Sequence, residues 1–508
     1  MLKAFPKKLW LFVLAMAIVK VIIAASIGLG NDEVYYWTYA LKPEWNYFDH
    51  PPFIAWLIRA TTLNLSIHQE LAVRFGAICS SSLCTFIIFK IGQIIGNNRV
   101  AWYAALLYTA SFYCSIIAGT FILPDGPQMV FWLWAIYLFI KLNKSVSKGS
   151  KPLKIWLCFG VAVGLCMLCK IHGLFLWFAV LSFALVNRPK ILLDKGLYIA
   201  IGITIILFSP VLIWNFQHHF ISYTYHSERV NLIHPSLNLL SLSREVAGSL
   251  FYNNPVVFIL IWLSVLSPFR SKTYIQRQER QILLYFGLPL VLTLLLVSLF
   301  RDTLPHWSGP GYACLILLAA LKLEEWTMKN ARLWLKIALF LFFAIITAGM
   351  LIINFYPGSL SAEKRTLFHG KNDPTLDMYG WKETGRIVDS VYRHNKWADE
   401  KISTIVVNKW FPAAHLDFNV AQQADLHTYG IGEIFDLHQY TFTNAGKHRP
   451  EKGESCIYIV PSNLFDDEDF KKISAHFVNY NQPLIIPILR RKEVCKNILI
   501  FKLNGFKN

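Results

Sequence analysis

Leu9–Leu29 reads LWLFVLAMAIVKVIIAASIGL and runs straight into Gly30-Asn31-Asp32-Glu33. An apolar stretch of about 20 residues is long enough to cross the hydrocarbon of a bilayer as a helix. Asp32 and Glu33 therefore stand where that helix leaves the membrane. A carboxylate pair is not needed to hold a helix in lipid, and acids near hydrocarbon are costly enough to suggest a functional role by default. Solvation of an ordinary helix end is the competing explanation, and the rest of the sequence decides between them.

The chain of 508 residues is 55% apolar and 15% aromatic but only 16% charged, against roughly 25% charged in a soluble domain. Further long apolar runs fall near 71–95, 100–120, 127–141, 155–169, 172–187, 196–214, 251–268, 281–300, 308–322 and 334–355. With the first run they predict an all-α membrane bundle of about eleven spans over residues 1–355. The first run exceeds the roughly 7–15-residue core of a signal peptide, so a retained helix is expected. A first outward loop covers 30–68. After Phe355 the composition turns polar, and residues 356–508 read as a soluble α/β domain. Its expected strands are Ser403–Val407 and Cys456–Val460, with Leu484–Leu489 and Ile498–Leu503 as a closing pair. Its expected helices are Gly380–His394 and Asp466–Phe477. An inward amino terminus and an odd number of spans put this domain outside the membrane.

The net charge of +18 is not a nucleic-acid footprint. Cations cluster in alternate loops, at Lys7–Lys8, Lys141–Lys144 and Arg188–Lys195, as positive residues do on the cytoplasmic side. Most of the nine cysteines lie in or beside apolar runs, where thiols pack as small apolar groups. Cys456 and Cys495 lie in the tail and would pair only if brought within bonding distance. No Cys/His spacing suggests a metal site, and no Walker or dinucleotide glycine motif is present.

The outward loops concentrate the chemistry. In the first, Asp49 and His50 lie among aromatics suited to the headgroup level, with Arg59 beyond them. An aromatic belt explains the rings but not the acids and histidine among them. Asp125 sits at a Pro/Gly-broken helix end, where capping is the structural alternative. Lys170 and His172 separate two apolar helices, and snorkelling would account for the lysine. Arg301 and His306 precede the tenth run. The long connection Asn215–Leu250 carries His218, His219 and His226. Acids, histidines and stray cations thus collect on one face, which suggests an outer polar cavity open to lipid. Carboxylates there can act as bases, and Lys, Arg and His can hold a phosphate.

The Asp-Glu pair after the first span, FDHPPFIAWL at 48–57, LPDGP at 123–127, CKIHG at 169–173 and LPHWSGPGY at 304–312 resemble bacterial integral-membrane glycosyltransferases of the GT-C type. The likeness is to family 39 and the RgtA/B/C/D-like group, related to protein O-mannosyltransferases and lipid A aminoarabinose transferases. It covers residues 1 to about 355, and the tail, with YGWKETG at 379–385, matches in general plan only. The resemblance implies a polyprenyl-phosphate-linked sugar donor, a lipid A, lipopolysaccharide, other glycan or protein acceptor, and inversion at the anomeric carbon. It implies Asp32 as general base with Glu33 beside it, and Asp125 as an aid to the acceptor. His50 stands where aminoarabinose transferases carry a phosphate-binding Lys, which argues against aminoarabinose as the sugar. Lys170 is a second phosphate ligand, and Asp49, Arg59, Arg301 and His306 complete the candidate substrate-binding set. No cofactor is required, although a divalent cation could bridge phosphate and carboxylate. The expected setting is the bacterial inner membrane, multi-pass, with active site and tail in the periplasm. A multi-span transporter or lipid flippase is the alternative, disfavoured by polar residues gathered at one interface without a visible repeat.

Overall fold

The computed structural model describes residues 5–147, 149–150, 152–229, 236–267, 274–395 and 397–507. It divides into two compact units. The first comprises Met1–Ile22, Trp45–Thr61 and Leu71–Ile346, and the second Ile23–Glu44, Thr62–Glu70 and Thr347–Asn508.

The first unit is helical. It contains most of α1 (Lys7–Ser26), α3 (Phe53–Thr61), α4 (Glu70–Ile95), α5 (Asn98–Ala110), α6 (Asp125–Ser147), α7 (Leu153–Cys169), α8 (Leu174–Asn187) and α9 (Lys195–Gln217). It continues through α10 (Ile221–Arg229), α11 (Leu239–Tyr252), α12 (Pro255–Leu266), α13 (Tyr274–Ser298), α14 (Gly309–Glu324) and most of α15 (Met328–Phe355). Lipid gives no hydrophobic drive to helix pairing, so close backbone approach at small residues matters more. A Cβ on Gly160 would lie 2.5 Å from the Ala200 carbonyl oxygen, which holds α7 tight against α9. Likewise, one on Gly311 would lie 2.6 Å from the Gly287 oxygen, where α14 crosses α13. Asn254, at φ +66°, breaks the chain between α11 and α12, which meet at 105°. Its amide donates to Ala110 O at 3.1 Å and Ala338 O at 2.9 Å, fixing that corner to two other helices.

The chain is a multi-pass membrane protein. All eleven apolar runs carry helix, but among the described residues six helices are long and apolar enough to cross a bilayer. The count is seven if bent α11–α12 is one span. It falls short of the expected eleven because α5, α7, α8 and α14 have only 13, 17, 14 and 16 residues, below the roughly 20 that a straight crossing needs.

In the second unit, α2 (Asn31–Leu41) belongs with a six-stranded mixed sheet. The strands are β1 (Thr404–Val407), β2 (His427–Gly430), β3 (Cys456–Pro461), β4 (Phe477–Tyr480), β5 (Leu484–Arg490) and β6 (Glu493–Phe506). Their order is β2-β1-β3-β6-β4, with β5 also on β6; β1 pairs in parallel with β2 and β3, and the pairs with β6 are antiparallel. The expected closing hairpin is β5–β6. Helix α16 (Trp381–His394) follows the expected segment, whereas the helix expected to reach Phe477 ends at Ser474 and β4 begins three residues on. Cys456 and Cys495 are both buried and unpaired. Cys456 faces Leu503, eight residues along β6 from Cys495, or roughly 26 Å at strand rise, far beyond disulfide reach.

Arg490 is the fully buried pin of this unit. It donates to Gly358 O at 2.9 Å, Ile353 O at 3.1 Å and Thr375 Oγ1 at 2.8 Å, and lies 3.5 Å from Asp373. Removing one partner of a buried pair strands the other charge, at a cost of about 3–5 kcal/mol. Arg490→Ala is therefore expected to lower the thermal midpoint of the purified protein strongly. An unchanged midpoint would show that water replaces the guanidinium at no cost.

Candidate functional site

In the first unit, Asp125 occupies the first turn of α6 and Lys170 the residue just past α7, whose last residue is Cys169. A carboxylate at a helix start and an ammonium at a helix end both complement the backbone dipole. They meet as a buried ion pair: Lys170 Nζ lies 3.0 Å from Asp125 Oδ2 and 3.3 Å from Oδ1. Tyr113 donates its hydroxyl to Asp125 Oδ1 at 3.0 Å. Two residues that the sequence offered as separate loop groups are thus one unit.

Lys170 opens onto a cavity of about 440 Å³, whose polar end is formed with Asp49, His50, His172 and His226. Phe208, Val211, Leu294, Val297 and Trp307 give it a largely apolar wall, to which Asn46, Asn215, Ser222, Tyr223, Ser227 and Thr293 add uncharged polar groups. His226 donates from Nε2 to the Asp49 carbonyl at 2.8 Å and its ring lies 6.0 Å from that of His50. His172 packs edge-on to Trp307 at 6.1 Å, and its Nδ1 is buried without a hydrogen-bond partner. Burial, with Lys170 and the neighbouring histidines, holds His50 well below the usual imidazole range, so it rests neutral. Burial and Lys170 push His306 down to about 4, Asp125 pulling the other way. This cluster has more cationic capacity than it expresses at rest, which is what an anion entering it would draw out.

Arg59, in the last turn of α3, and Arg301, whose carbonyl accepts from Ser241 Oγ at 2.7 Å, do not line the cavity. His306 does not line it either; its ring faces Tyr252 at 6.1 Å.

In the second unit, Asp32 is exposed in the first turn of α2, while Glu33 is buried. Glu33 Oε2 accepts from Gly30 N at 2.8 Å and caps the helix. The two acids that looked equivalent in the sequence therefore sit in different environments.

Sequence reasoning missed Glu245, Tyr113 and Arg74. Glu245 is buried in α11 and accepts from Thr303 Oγ1 at 2.6 Å, holding the segment before His306. A lone acid in an otherwise apolar and small-residue helical face was its only signal. Arg74 is fully buried, its guanidinium 5.2 Å from the Phe121 ring. Among the described residues, no group of three or more His, Cys, Asp or Glu is arranged to hold a metal.

The fold agrees with the class that the motifs suggested. Residues 49–214 match the family described as dolichyl-phosphate-mannose-protein mannosyltransferase. The resemblance to integral-membrane glycosyltransferases of the GT-C type is borne out in both sequence and fold. The chain is 22% identical over 308 residues to the lipid A galacturonosyltransferase RgtD of Rhizobium johnstonii, covering 60% of this chain and 63% of that one. It is 26% identical over 261 residues to the undecaprenyl phosphate-alpha-4-amino-4-deoxy-L-arabinose arabinosyl transferase of Yersinia pestis, covering 50% and 45%. The matches span less than two thirds of either relative. Its fold is similar to that of ArnT from Cupriavidus metallidurans crystallised with undecaprenyl phosphate, with a TM-score of 0.61 and 12% identity over 97% of both chains. The apo form of the same protein gives a TM-score of 0.58.

Proposed function

We propose that this chain is a glycosyltransferase that moves a sugar from a polyprenyl-phosphate-linked donor to an envelope acceptor, lipid A or another lipopolysaccharide glycan first. The reaction takes place on the outer face of the bacterial inner membrane. The observation that carries this reading is the cavity in which Lys170, His50, His172 and His226 gather beside a largely apolar wall that holds no other cationic side chain among its lining residues. A phosphate with a long isoprenoid chain has that same division of character. An ammonium has three donors; Asp125 takes up part of that capacity and aims the rest, and His172 Nδ1 needs a partner. In this reading Asp125 serves mainly to orient Lys170. Asp32 takes the proton from the acceptor hydroxyl as that oxygen attacks the anomeric carbon. The bond to the lipid phosphate breaks, and the departing phosphate is stabilised by Lys170 and the imidazoles. Single displacement predicts inversion.

Neutral His50 gives the test. Bound phosphate favours the imidazolium, so donor binding takes up a proton, and affinity rises as pH falls toward the depressed pKa of the free enzyme. Binding of undecaprenyl phosphate to the purified protein is expected to tighten from about pH 8 to about pH 6. The slope should be steeper in the wild type than in His50→Gln, which keeps a neutral hydrogen-bonding group. Equal slopes would remove His50 from phosphate binding, and no binding at any pH would remove the donor assignment.

A further inference from the structure

The motif YGWKETG at 379–385 has no part in the scheme above, yet it lies against the segment that carries Asp32. Gly28 N donates to Met378 O at 3.2 Å. A Cβ on Gly28 would come within 2.7 Å of that oxygen, so the approach needs glycine. Asn31, the residue before Asp32, is gripped at its side chain. Its Oδ1 accepts from His415 Nε2 at 3.0 Å, and its amide also hydrogen-bonds the Asp377 carboxylate. The His415 ring in turn lies flat on Trp381, with centroids 4.1 Å apart and planes 2° apart. Trp381 Nε1 donates to Asp377 O at 3.0 Å, and Lys496 Nζ sits 4.8 Å from the Trp381 ring while donating to Leu376 O at 3.1 Å. Gly380, at φ +82°, turns the chain into α16 so that Trp381 can take this place.

We infer that the C-terminal domain positions the catalytic carboxylate: Asn31, clasped between His415 and Asp377, fixes the first turn of α2 and with it the direction of Asp32. The inference rests on the assignment of Asp32 as base. His415 and Asp377 are positioning residues that act through Asn31. His415 is fully buried, and burial with the Lys496 charge keeps its imidazole neutral, so one N–H remains on Nε2 for Asn31. The clasp explains why α2 belongs to the same compact unit as the sheet. Misplacing a reacting group by about 1 Å can cost on the order of 100-fold in rate, so loosening one bond of the clasp should cost less, about tenfold.

The test compares Asn31→Ala, His415→Ala, His415→Gln and the Asn31→Ala/His415→Ala double variant. Each would be expressed in a deletion strain, and isolated membranes titrated with lipid extract of the wild-type host, the product being followed by mass spectrometry. Both single alanine variants are expected to lower the maximal rate about tenfold with the half-saturating extract concentration unchanged. The double variant should be no slower than Asn31→Ala. His415→Gln places an amide N–H near the Nε2 position and should recover most of the rate, although it loses the stack on Trp381. Failure of His415→Gln to recover the rate would make the stack, and not the hydrogen bond, the essential feature and overturn the clasp. Wild-type rates in both alanine variants would overturn it as well. Full turnover in Asp32→Asn would instead overturn the base assignment.

Discussion

Asp32→Asn lowers turnover by ~10²–10⁴-fold, the usual contribution of a general base, while the protein still accumulates in the membrane. Asn keeps the size of the side chain and loses only the basic oxygen. The side chain is exposed, so its replacement leaves no cavity. The lost interaction with the start of α2 amounts to about 0.3–1 kcal/mol. Rate and stability should therefore separate cleanly in this variant. Glu33→Gln should behave differently, because Glu33 is buried and caps the same helix through Gly30 N at 2.8 Å. Reduced accumulation is expected there, with a smaller loss of rate per folded molecule. The pair is best read by measuring product formed against protein extracted for both variants. Equal turnover in wild type and Asp32→Asn would end the role of Asp32.

The second large effect lies at Lys170. Lys170→Met removes the ammonium and leaves Asp125 charged and buried, at about 3–5 kcal/mol of stability. In the proposed reaction it also removes the principal cation facing the donor phosphate, so affinity for undecaprenyl phosphate is expected to fall by at least about tenfold, as for loss of a charge-assisted hydrogen bond. Adding Asp125→Asn removes the stranded charge, so Lys170→Met/Asp125→Asn should regain much of the stability without regaining phosphate binding. Thermal unfolding with and without undecaprenyl phosphate reads both quantities. If the double variant binds the lipid as well as the wild type, Lys170 serves only as the structural partner of Asp125.

The contrast between Asp32–Glu33 and Asp125–Lys170 shows what the chain discloses on its own. Position relative to the first apolar run is enough to single out Asp32 and Glu33, but no local pattern separates an exposed carboxylate from one that is buried and caps the helix. Asp125 and Lys170 were each visible as polar residues at helix breaks. Their pairing, across 45 residues, depends on how α6 and α7 pack, which no local pattern encodes. Glu245 escaped notice because a single acid beside Arg244 looks like ordinary helix surface; its burial follows from the segment 303–308 folding over it. Crossing number suffered in the opposite way. Apolarity was correctly read as helix, but α5 and α7, at 13 and 17 residues, are shorter than the roughly 20 residues of a straight crossing, so six or seven helices meet that length where eleven runs were apolar. In the tail, the buried strands β1 and β3 were legible as apolar runs. Strands β2 and β4 were not, because HTYG and FVNY bury too few side chains to stand out from loop.

The measurement that tests the central claim most directly is mass spectrometry of the envelope glycolipids of a deletion strain, compared with strains complemented by wild type or Asp32→Asn. Sugar transfer at the proposed site predicts one glycolipid species lacking a single sugar unit in the deletion strain, restored by wild type and not by Asp32→Asn. Its mass difference would name the sugar and its fragments the acceptor. Identical glycolipids and identical protein-linked sugars in all strains would contradict glycosyl transfer, and restoration by Asp32→Asn would contradict the mechanism.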